Sequence, residues 1–488
     1  MRIILVCALM CISFAVLPAW AGQEQDESPP MDKNNPANLK TITATTYSMN
    51  AYPGESHLDG QWECSIVGSD GKVYFGDSSH DSNTAAMYCQ YDPTTAQVHV
   101  LVQNMDVPLG EQAAVAAKTH APQGKLHVPE IEINGYIYSG TYYGYAGSTY
   151  PGGYAFRYKL GSYEANSVAQ IDNMGISYPG GEQYNSPAYD AVNNKFYFNT
   201  TRMNPDATGS NKVNTGMPYS YFYEFCDGSG NLWTTDSGTL YKLDANTNNY
   251  HNMGSLPATH DPNNPSLPGT GYSPYSCFYF GAKPTDANGV LQNNLYVFQQ
   301  GYDGDLYELN AVNASITKLA HIGLGGLDMC MGGHTVYWLQ SATPYGTVYT
   351  DPVTHQQTTY TSDAKAQDQH LMSINILDPN HAIVDWGRVI DQSGRTPWRC
   401  EGMSADANGH VYMTGDWHLL RDPNTGVVLQ SEHPNTVIRA NDNSPGSYWD
   451  YTNDSPWRGQ FFAVVNAPEP MSLALLLAGG MMILRRRR

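Results

Sequence analysis

One short phrase recurs seven times along this 488-residue chain and constrains its fold more than any other feature. Each copy places Asn, Asp or Gly at a turn and continues as a β-rich run centred on an aromatic residue. Such turn residues between apolar runs are the strongest short-range hairpin signals, because they accept the positive φ of tight turns. The copies occupy residues 70–76, 134–140, 193–198, 230–235, 293–298, 333–338 and 408–414.

A further strand follows several copies of the phrase. Residues 155–160, 240–244 and 306–310 alternate apolar with polar side chains, as half-buried antiparallel strands do. The repeating unit is therefore a strand, a tight turn, a second strand, another turn and an outer strand. That is the order of strands in a four-stranded propeller blade.

Seven copies of this unit predict an all-β fold, a seven-bladed β-propeller over residues 39–466. A propeller hides its sheet edges by closing into a ring, and residues 41–47 and 460–465 are the predicted closing strands. Two stacked β-sandwich domains are the alternative architecture. The propeller is favoured because the phrase continues from residue 70 to residue 414 without a linker or a break in composition.

The composition agrees with short strands joined by turns. The chain holds 36 Tyr, 46 Gly and 30 Pro residues, and only 14% of its residues are charged, against about a quarter in a typical domain. Polar aromatic residues favour strands, whereas Gly and Pro favour turns. No stretch of the central region sustains the i, i+3, i+4, i+7 apolar spacing of a long amphipathic helix.

The chain is strongly acidic, with a formal net charge of −20 at pH 7. Five of its basic residues, Arg2 and the arginines at 485–488, lie in the terminal segments, so the central region carries about −25. Such a surface repels nucleic acid and other polyanions at long range, although a local basic pocket can still bind one. The charge therefore argues against a nucleic-acid partner.

Six of the eight cysteines lie beyond the first 21 residues, and none of them forms a CxxC pair. Five of the six occupy similar places in the repeat, where a small buried apolar side chain explains them. We therefore expect mostly buried thiols, and Cys64–Cys89 is the best candidate for a disulfide in an exported protein.

The first 21 residues have the organisation of a secretory signal peptide. Arg2 is followed by an apolar run over residues 3–18 and by a small-x-small cleavage site that ends at Ala21. Signal peptidase is the predicted partner here, and the mature protein is expected to begin at Gly22. Residues 22–38 are polar and contain proline, which predicts a disordered segment before the fold begins.

The last 22 residues combine Pro468, Glu469 and Pro470, an apolar run over residues 471–484, and four arginines. At 1.5 Å per residue the apolar run spans about 21 Å as a helix, short of the roughly 30 Å hydrocarbon core of a bilayer. The segment, residues 467–488, resembles the PEP-CTERM sorting signal of Gram-negative bacteria. An ordinary tail anchor is the alternative.

The resemblance to PEP-CTERM proteins implies a transient hold in the inner membrane, followed by processing near the Pro-Glu-Pro sequence by an exosortase-type transpeptidase. The arginine cluster agrees with this orientation, because clustered arginines stay on the cytoplasmic side. The expected destination is the cell surface or the extracellular matrix.

Residues 124–160 form the best candidate for a functional site, since the chain has no hydrolase elbow, HExxH, phosphate loop or EF-hand sequence. This stretch resembles the blade sequences of seven-bladed polysaccharide lyases of the ulvan-lyase type. The resemblance depends on the Gly-Lys-x-His sequence that ends at His127, on the Gly-Thr pair at 140–141 and on the Pro-Gly-Gly sequence at 151–153.

Lyases of this type remove the proton α to a uronate carboxylate and expel the 4-linked sugar, which requires a base, an acid and a cation. The resemblance implies His127 as a base or acid and Arg202 as the residue that neutralises the carboxylate. Tyr142 stands where the family has a histidine after Gly-Thr, and a tyrosine can transfer a proton.

Tyrosines crowd the Gly-rich loop of the same stretch, and exposed aromatic rings stack on the apolar faces of sugars. The predicted ligand-binding residues are Tyr143, Tyr145, Tyr150 and Tyr154. Two functions therefore remain open: a non-catalytic surface propeller that binds carbohydrate or another cell-surface partner, and a secreted polysaccharide lyase or a degenerate relative. No cofactor is predicted and no metal site is assigned. The acidic residues Asp303 and Asp305 could hold calcium, a solvated turn explains them better, and metal dependence stays open.

Overall fold

The computed structural model describes residues 41–49, 58, 61, 64–79, 83–143, 149–161, 170–180, 186–198, 200–218, 224–236, 239–256, 279–280, 295–300, 303–341, 348–350, 357–359, 369–392, 395–419 and 459–467. Within these residues the fold is all-β, with many small sheets and two short helices. The segments predicted at 1–21, 22–38 and 468–488 lie outside the described residues. Among the helices that are described, none is both long and apolar enough to cross a membrane.

Strand β1 (Thr41–Ser48) belongs to the last sheet, and four sheets of four strands follow it along the chain. The first sheet holds β2 (Ser65–Val67), β3 (Val73–Asp77), β4 (Met87–Asp92) and β5 (Gln97–Val102). Two helices come next, α1 (Asp106–Leu109) and α2 (Gln112–Ala116). The second sheet holds β6 (Ile131–Ile133), β7 (Tyr136–Gly140), β8 (Gly152–Lys159) and β9 (Ile171–Pro179).

The third and fourth sheets repeat this plan. The third holds β10 (Ala188–Asp190), β11 (Lys195–Phe198), β12 (Thr201–Met203) and β13 (Val213–Asn214). The fourth holds β14 (Phe225–Cys226), β15 (Leu232–Asp236), β16 (Thr239–Leu243) and β17 (Tyr250–Ser255). In each of the four sheets, strands that are neighbours in sequence pair antiparallel, so each sheet is a simple meander.

The remaining strands form an eleven-stranded sheet and one small hairpin. They are β18 (Tyr279–Phe280), β19 (Leu295–Gln300), β20 (Asp303–Asn310), β21 (Ser315–Gly332), β22 (Thr335–Ser341), β23 (Val348–Thr350), β24 (Gln357–Thr359), β25 (Gln369–Asn375), β26 (Ile383–Asp391), β27 (Arg395–Ala405), β28 (His410–Leu419) and β29 (Gly459–Asn466). The order in the large sheet is β18-β19-β20-β21-β22-β25-β26-β1-β29-β28-β27, and β23 pairs with β24. Strand β21 pairs with β20 through its first half and with β22 through its second half.

The repeated phrase predicts the strands correctly. Its seven copies fall on β3, β7, β11, β15, β19, β22 and β28. Six of these strands pair with the strand before and the strand after them, and β22 pairs with β21 and β25. The two predicted closing segments are also confirmed, because Ala44 to Ser48 of β1 pair antiparallel with Phe461 to Val465 of β29. The first strand of the fold is thus built into a sheet with the last.

Asparagine, aspartate and glycine residues determine the conformation of the tight turns where the phrase begins. In one of them Asn134 and Gly135 both have positive φ, +52° and +80°, as an Asn-Gly hairpin requires. In another, the Asp227 carboxylate accepts hydrogen bonds from the N–H groups of Ser229 and Asn231 and from the Trp233 indole. Each phrase therefore starts its own hairpin with local contacts.

In each meander, the first-to-second and third-to-fourth strand connections lie at one end, and the second-to-third connection and the passage to the next sheet lie at the other. We call the first the turn end, which includes residues 68–72, 134–135, 191–194, 227–231, 333–334 and 406–409. The second is the connection end, which includes residues 78–79, 83–86, 103–130, 141–143 and 149–151. Neighbouring turns at the turn end touch: a Cβ on Gly230 would lie 2.4 Å from Asp190 Oδ1, and a Cβ on Gly332 would lie 2.2 Å from the Asp406 carbonyl oxygen.

Seven hydrophobic clusters join successive copies of the repeating unit, five of them between sheets and two within the eleven-stranded sheet. Tyr88 of the first sheet packs with Phe156 of the second, and further clusters link each copy to the next along the chain. The seventh cluster brings the chain back to its start, because Phe462 of β29 stacks on Phe75 of β3 with ring centroids 4.7 Å apart. Large buried aromatic residues thus supply much of the packing between sheets.

The five described cysteines are present as thiols. Cys64 is fully buried, and its Sγ lies 3.9 Å from the Ser139 hydroxyl of the next sheet. The candidate disulfide Cys64–Cys89 is therefore wrong: Cys64 fills the junction between two sheets, as the prediction of buried thiols required. Cys277 lies outside the described residues.

Candidate functional site

The candidate site lies at the connection end of the first and second sheets. The segment that leads from α2 towards β6 runs beside the end of β7, where Lys125 and Tyr142 exchange two backbone hydrogen bonds of 2.9 and 2.8 Å. The same segment is tied to the end of β3, because the Leu126 N–H donates to the Ser78 hydroxyl at 2.9 Å and the Ser79 N–H donates to the Gly124 carbonyl. Two sheets therefore hold these residues in place.

Three tyrosine rings form a contiguous group here, which we call the tyrosine cluster: Tyr142, Tyr143 and Tyr150. Tyr142 and Tyr143 stack with centroids 4.5 Å apart and planes inclined by 18°. Tyr143 meets Tyr150 edge-on at 5.2 Å. Tyr142 is buried, whereas Tyr143 and Tyr150 are half-buried, so part of the cluster reaches the surface.

Two cationic or ionisable side chains border the tyrosine cluster. The His127 ring is half-buried and lies 5.9 Å from the Tyr142 ring, and the Lys125 ammonium lies 5.5 Å from the centroid of the same ring. An ammonium group over an aromatic face is attracted by the negative charge of that face. The structure therefore brings the predicted residues His127 and Tyr142 together and adds a cation that the sequence analysis did not single out.

Gln123 holds the tyrosine cluster in place through side-chain hydrogen bonds. Its side-chain oxygen accepts hydrogen bonds from the Thr141 and Tyr150 hydroxyls at 2.6 and 2.9 Å, and its side-chain nitrogen donates to the Gly152 carbonyl. The backbone N–H of Gln123 donates to the Asp106 carboxylate at 2.9 Å. Gln123 is fully buried, so all of these bonds are formed away from bulk water. Burial raises the pKa of the Tyr150 phenol well above its usual value, which keeps this hydroxyl a donor.

A second polar group joins the helical segment to β8. The Tyr154 hydroxyl donates to one carboxylate oxygen of Glu111, and the His120 ring nitrogen Nδ1 bonds to the other. Burial raises the pKa of Tyr154, and the hydrogen bond to the Glu111 carboxylate raises it further. Burial also raises the pKa of Asp106 to about 6. Tyr154, predicted to bind a ligand, is buried and engaged with Glu111 in this structure.

Arg202 lies in another sheet. It is on β12, opposite Tyr197, and its guanidinium donates to the carbonyl of Thr247 in the turn between β16 and β17. Burial raises the pKa of Tyr197 to about 12, and the nearby Arg202 guanidinium partly offsets this. The structure thus places Arg202 at the junction of the third and fourth sheets, whereas His127 and Tyr142 lie at the junction of the first and second.

Several predicted residues lie outside the described part of the chain: Tyr145 of the tyrosine-rich loop, and Ala21, Pro468, Glu469 and Pro470 at the processing sites. Three residues that build the site were missed by the sequence analysis, namely Lys125, Gln123 and Glu111. Lys125 could have been found, because it belongs to the same Gly-Lys-x-His sequence as His127. Gln123 and Glu111 carry no motif.

The site brings hydroxyl, imidazole, ammonium and aromatic groups together, with Lys125 and Tyr142 buried and His127, Tyr143 and Tyr150 half-buried. In the described residues, no group of three or more His, Cys, Asp or Glu side chains is placed to hold a metal ion. Asp303 and Asp305, predicted to lie in a solvated turn, lie instead in strand β20, which spans Asp303–Asn310.

Comparison with known proteins gives distant structural matches. No protein-family model matches the chain, and no curated protein matches it. A GH74 enzyme of Niastella koreensis is similar with a TM-score of 0.44 at 8% identity, over 74% of this chain and 52% of the enzyme. The WD40 repeats of RRP9 give 0.42 at 7% identity, over 86% and 97% of the two chains. A luciferin-regenerating enzyme gives 0.35 at 11% identity, over 87% and 97%.

Proposed function

We propose that this chain is an exported seven-bladed β-propeller that binds carbohydrate at the connection end of its first two blades. The blade count is supported by the seven copies of the phrase on seven second strands and by the seven hydrophobic clusters that return to β3. Simple meanders also argue against the alternative of two stacked sandwiches, whose sheets are usually joined by Greek-key crossovers. A closed ring leaves few sheet edges exposed.

The observation that carries the binding proposal is the tyrosine cluster. Tyr143 is fixed between Tyr142 and Tyr150 and is half-buried, so its conformation is set before any ligand arrives. A rigid aromatic ring loses little conformational entropy on binding, which favours stacking on the apolar face of a sugar. The hydroxyl, imidazole and ammonium groups around the cluster supply hydrogen bonds to the sugar hydroxyls.

Glycan binding by the purified protein tests this proposal. Affinity electrophoresis and calorimetry with neutral and uronate-containing polysaccharides should detect binding, and Tyr143→Ala should weaken it roughly tenfold, since an aromatic contact is worth about 1 kcal/mol or slightly more. The matched control is Tyr250→Ala, which removes an exposed tyrosine at the turn end and should leave the affinity unchanged. Absence of binding to every polysaccharide, or equal losses in both variants, would contradict the proposal.

A second candidate function is a polysaccharide lyase, and the proximity of Lys125, His127 and Tyr142 favours it. In this reaction a base removes the proton α to the uronate carboxylate, and the released electron pair forms a carbon–carbon double bond. The 4-linked sugar oxygen leaves and takes up a proton from an acid. His127 and Tyr142 would share the base and acid roles. Lys125 would neutralise the carboxylate in place of Arg202, because its ammonium lies beside Tyr142.

The lyase reaction makes an unsaturated product that absorbs ultraviolet light. A steady rise in absorbance with a uronate polysaccharide, lost in His127→Ala and kept in His251→Ala, would establish this activity. His251 is the control because it is an exposed histidine bound to Asp244 at the turn end. Glycan binding without any rise in absorbance would contradict the lyase function and support the non-catalytic one.

Export and processing complete the proposal. The chain would lose residues 1–21 to signal peptidase, be held transiently in the inner membrane by residues 467–488, and be released to the surface or matrix by an exosortase-type enzyme. Mass spectrometry of the protein recovered from cells should find Gly22 at the mature N-terminus and a C-terminus near Pro468. Recovery of the intact C-terminal arginines from the cell surface would contradict this route.

A further inference from the structure

The chain leaves its described fold at the turn end. Ala467 follows β29, and its N–H donates to the carbonyl oxygen of Gly409 at 2.9 Å. Gly409 belongs to the tight turn between β27 and β28. The point where the polypeptide continues towards its C-terminal segment is therefore fixed by a backbone hydrogen bond to one turn.

Very little chain separates this point from the apolar run. Three residues, 468–470, precede the apolar residues 471–484, and three extended residues span at most about 10 Å. We infer that, while the C-terminal segment is held in a membrane, the ring presents its turn end to that membrane and its connection end, with the tyrosine cluster, to the opposite side. This inference rests on the membrane hold included in the proposed function.

The distribution of exposed apolar side chains supports the same orientation. Of the seven large hydrophobic residues that are exposed in the described part of the chain, six lie in a connection at the turn end or begin the strand that follows such a connection. These six are Val192, Val213, Tyr250, Val312, Leu377 and Ile383. The seventh, Val107, is in α1 at the connection end. These residues are spread over several turns, and together they place more exposed apolar side chains at the turn end than at the connection end.

The occupant of the turn-end surface is the lipid bilayer that receives the protein's own C-terminal segment. The net charge of −20 opposes contact with an anionic lipid surface, so a zwitterionic surface fits the turn end better. Val312, at 73% exposure, is the most exposed of the six and would contact the lipid headgroup region directly. The tyrosine cluster, facing away from lipid, would stay open to large polysaccharides.

Energy transfer between the protein and lipid vesicles tests the orientation. The azide-bearing residue p-azidophenylalanine is introduced into the chain without its predicted signal peptide, residues 22–488, at Val312, at Val192 or at Val107. It is labelled with a donor dye, so that the native thiols are not modified. The protein is reconstituted into phosphatidylcholine vesicles that contain a lipid-linked acceptor. We expect the donors at positions 312 and 192 to transfer energy at least about twice as efficiently as the donor at 107, because strands of five residues separate the two ends by about 16 Å.

Flotation of the vesicles separates the possible failures. If the chain does not float with the vesicles, the C-terminal segment does not insert, and both the membrane hold and this inference fall. If the chain floats but transfer at 107 equals or exceeds that at 312 and 192, the orientation alone is overturned. As a control, Leu475→Arg combined with Leu477→Arg interrupts the apolar run and should abolish both flotation and transfer, because a central arginine strongly opposes insertion.

Discussion

The turn end and the connection end of the sheets are stabilised by different kinds of contact. At the turn end, Asp227 binds the backbone and the indole of residues no more than six positions away. At the connection end, the partners of Gln123 lie 17 to 29 positions away along the chain. The conformation of a tight turn is therefore set by adjacent residues, and contacts between neighbouring turns add to it, whereas the connection end is held by segments that are distant in sequence. Four substitutions test this difference.

The largest effect is expected for Gly332→Ala, at a place where two turn ends meet. An added Cβ would lie 2.2 Å from the Asp406 carbonyl oxygen and 3.1 Å from the Ala405 Cβ, so the two turns would have to move apart. Backbone displacement of this kind should lower the free energy of unfolding by about 3 kcal/mol or more. Chemical denaturation followed by tryptophan fluorescence measures the change.

The comparison variant is Gly71→Ala, in the tight turn before β3, where the glycine has a positive φ that Gly332 does not have. Gly71 has a φ of +77°, but nothing lies within 4 Å of an added Cβ. The substitution therefore costs only the strain of positive φ, about 1 kcal/mol. Equal losses in the two variants would show that contact between turn ends contributes nothing beyond local conformation.

At the connection end, Gln123→Leu should cost about 2–3 kcal/mol, because it leaves the Thr141 and Tyr150 hydroxyls and the Gly152 carbonyl without their partner in a buried place. Gln97→Leu is the control, since Gln97 is exposed at the start of β5. A near-neutral Gln123→Leu variant would mean that the long-range bonds do not hold the connection end together.

This contrast also explains what the sequence could predict. Asn-Gly and Asp-Gly turns predicted the strand positions, because turn conformation is a property of a few adjacent residues. The need to cover sheet edges predicted the closing strands. The partner of Arg202 and the role of Gln123 could not be predicted, because each depends on which distant segment the ring brings alongside. Of the candidate site, His127 and Tyr142 were found through a resemblance, and Lys125 lay inside the same motif.

Glu130, just before β6, should make the stability of the contact between the first and second sheets depend on pH. Burial raises the pKa of this carboxyl to about 8, although hydrogen bonds from Tyr88 and Cys64 oppose the shift. Between the unfolded value of 4.5 and this folded value, the folded protein binds one proton more than the unfolded chain. The free energy of unfolding should therefore fall as pH rises from 5 to 8, by about 1.4 kcal/mol per pH unit from this group.

Glu130→Gln removes the titrating group and should flatten this decline, so the variant should gain stability over the wild type as pH rises. Denaturation curves at several pH values measure the difference. Tyr88→Phe is the companion variant: it removes the hydroxyl that donates to Glu130 at 2.8 Å but keeps the carboxyl, so the decline should persist. If the free energy of unfolding of Glu130→Gln falls with pH as steeply as that of the wild type, groups other than Glu130 cause the fall.

The smallest effect is expected at an isolated turn, in Asp206→Asn. The Asp206 carboxylate accepts hydrogen bonds from the N–H groups of Thr208 and Ser210 and from both of their hydroxyls. Burial opposes ionisation, but these bonds outweigh it and lower the pKa of Asp206 well below its usual value.

The stabilisation of the fold by these hydrogen bonds is therefore present above the unfolded pKa and is lost as pH falls through the folded pKa. Asp206→Asn should cost about 1 kcal/mol at pH 7 and progressively less as pH falls below the unfolded pKa of 3.8 towards the lower folded pKa. A cost at neutral pH as large as that of Gln123→Leu would mean that local turn contacts stabilise the ring as strongly as the long-range contacts at the connection end, and the difference between the two ends would disappear.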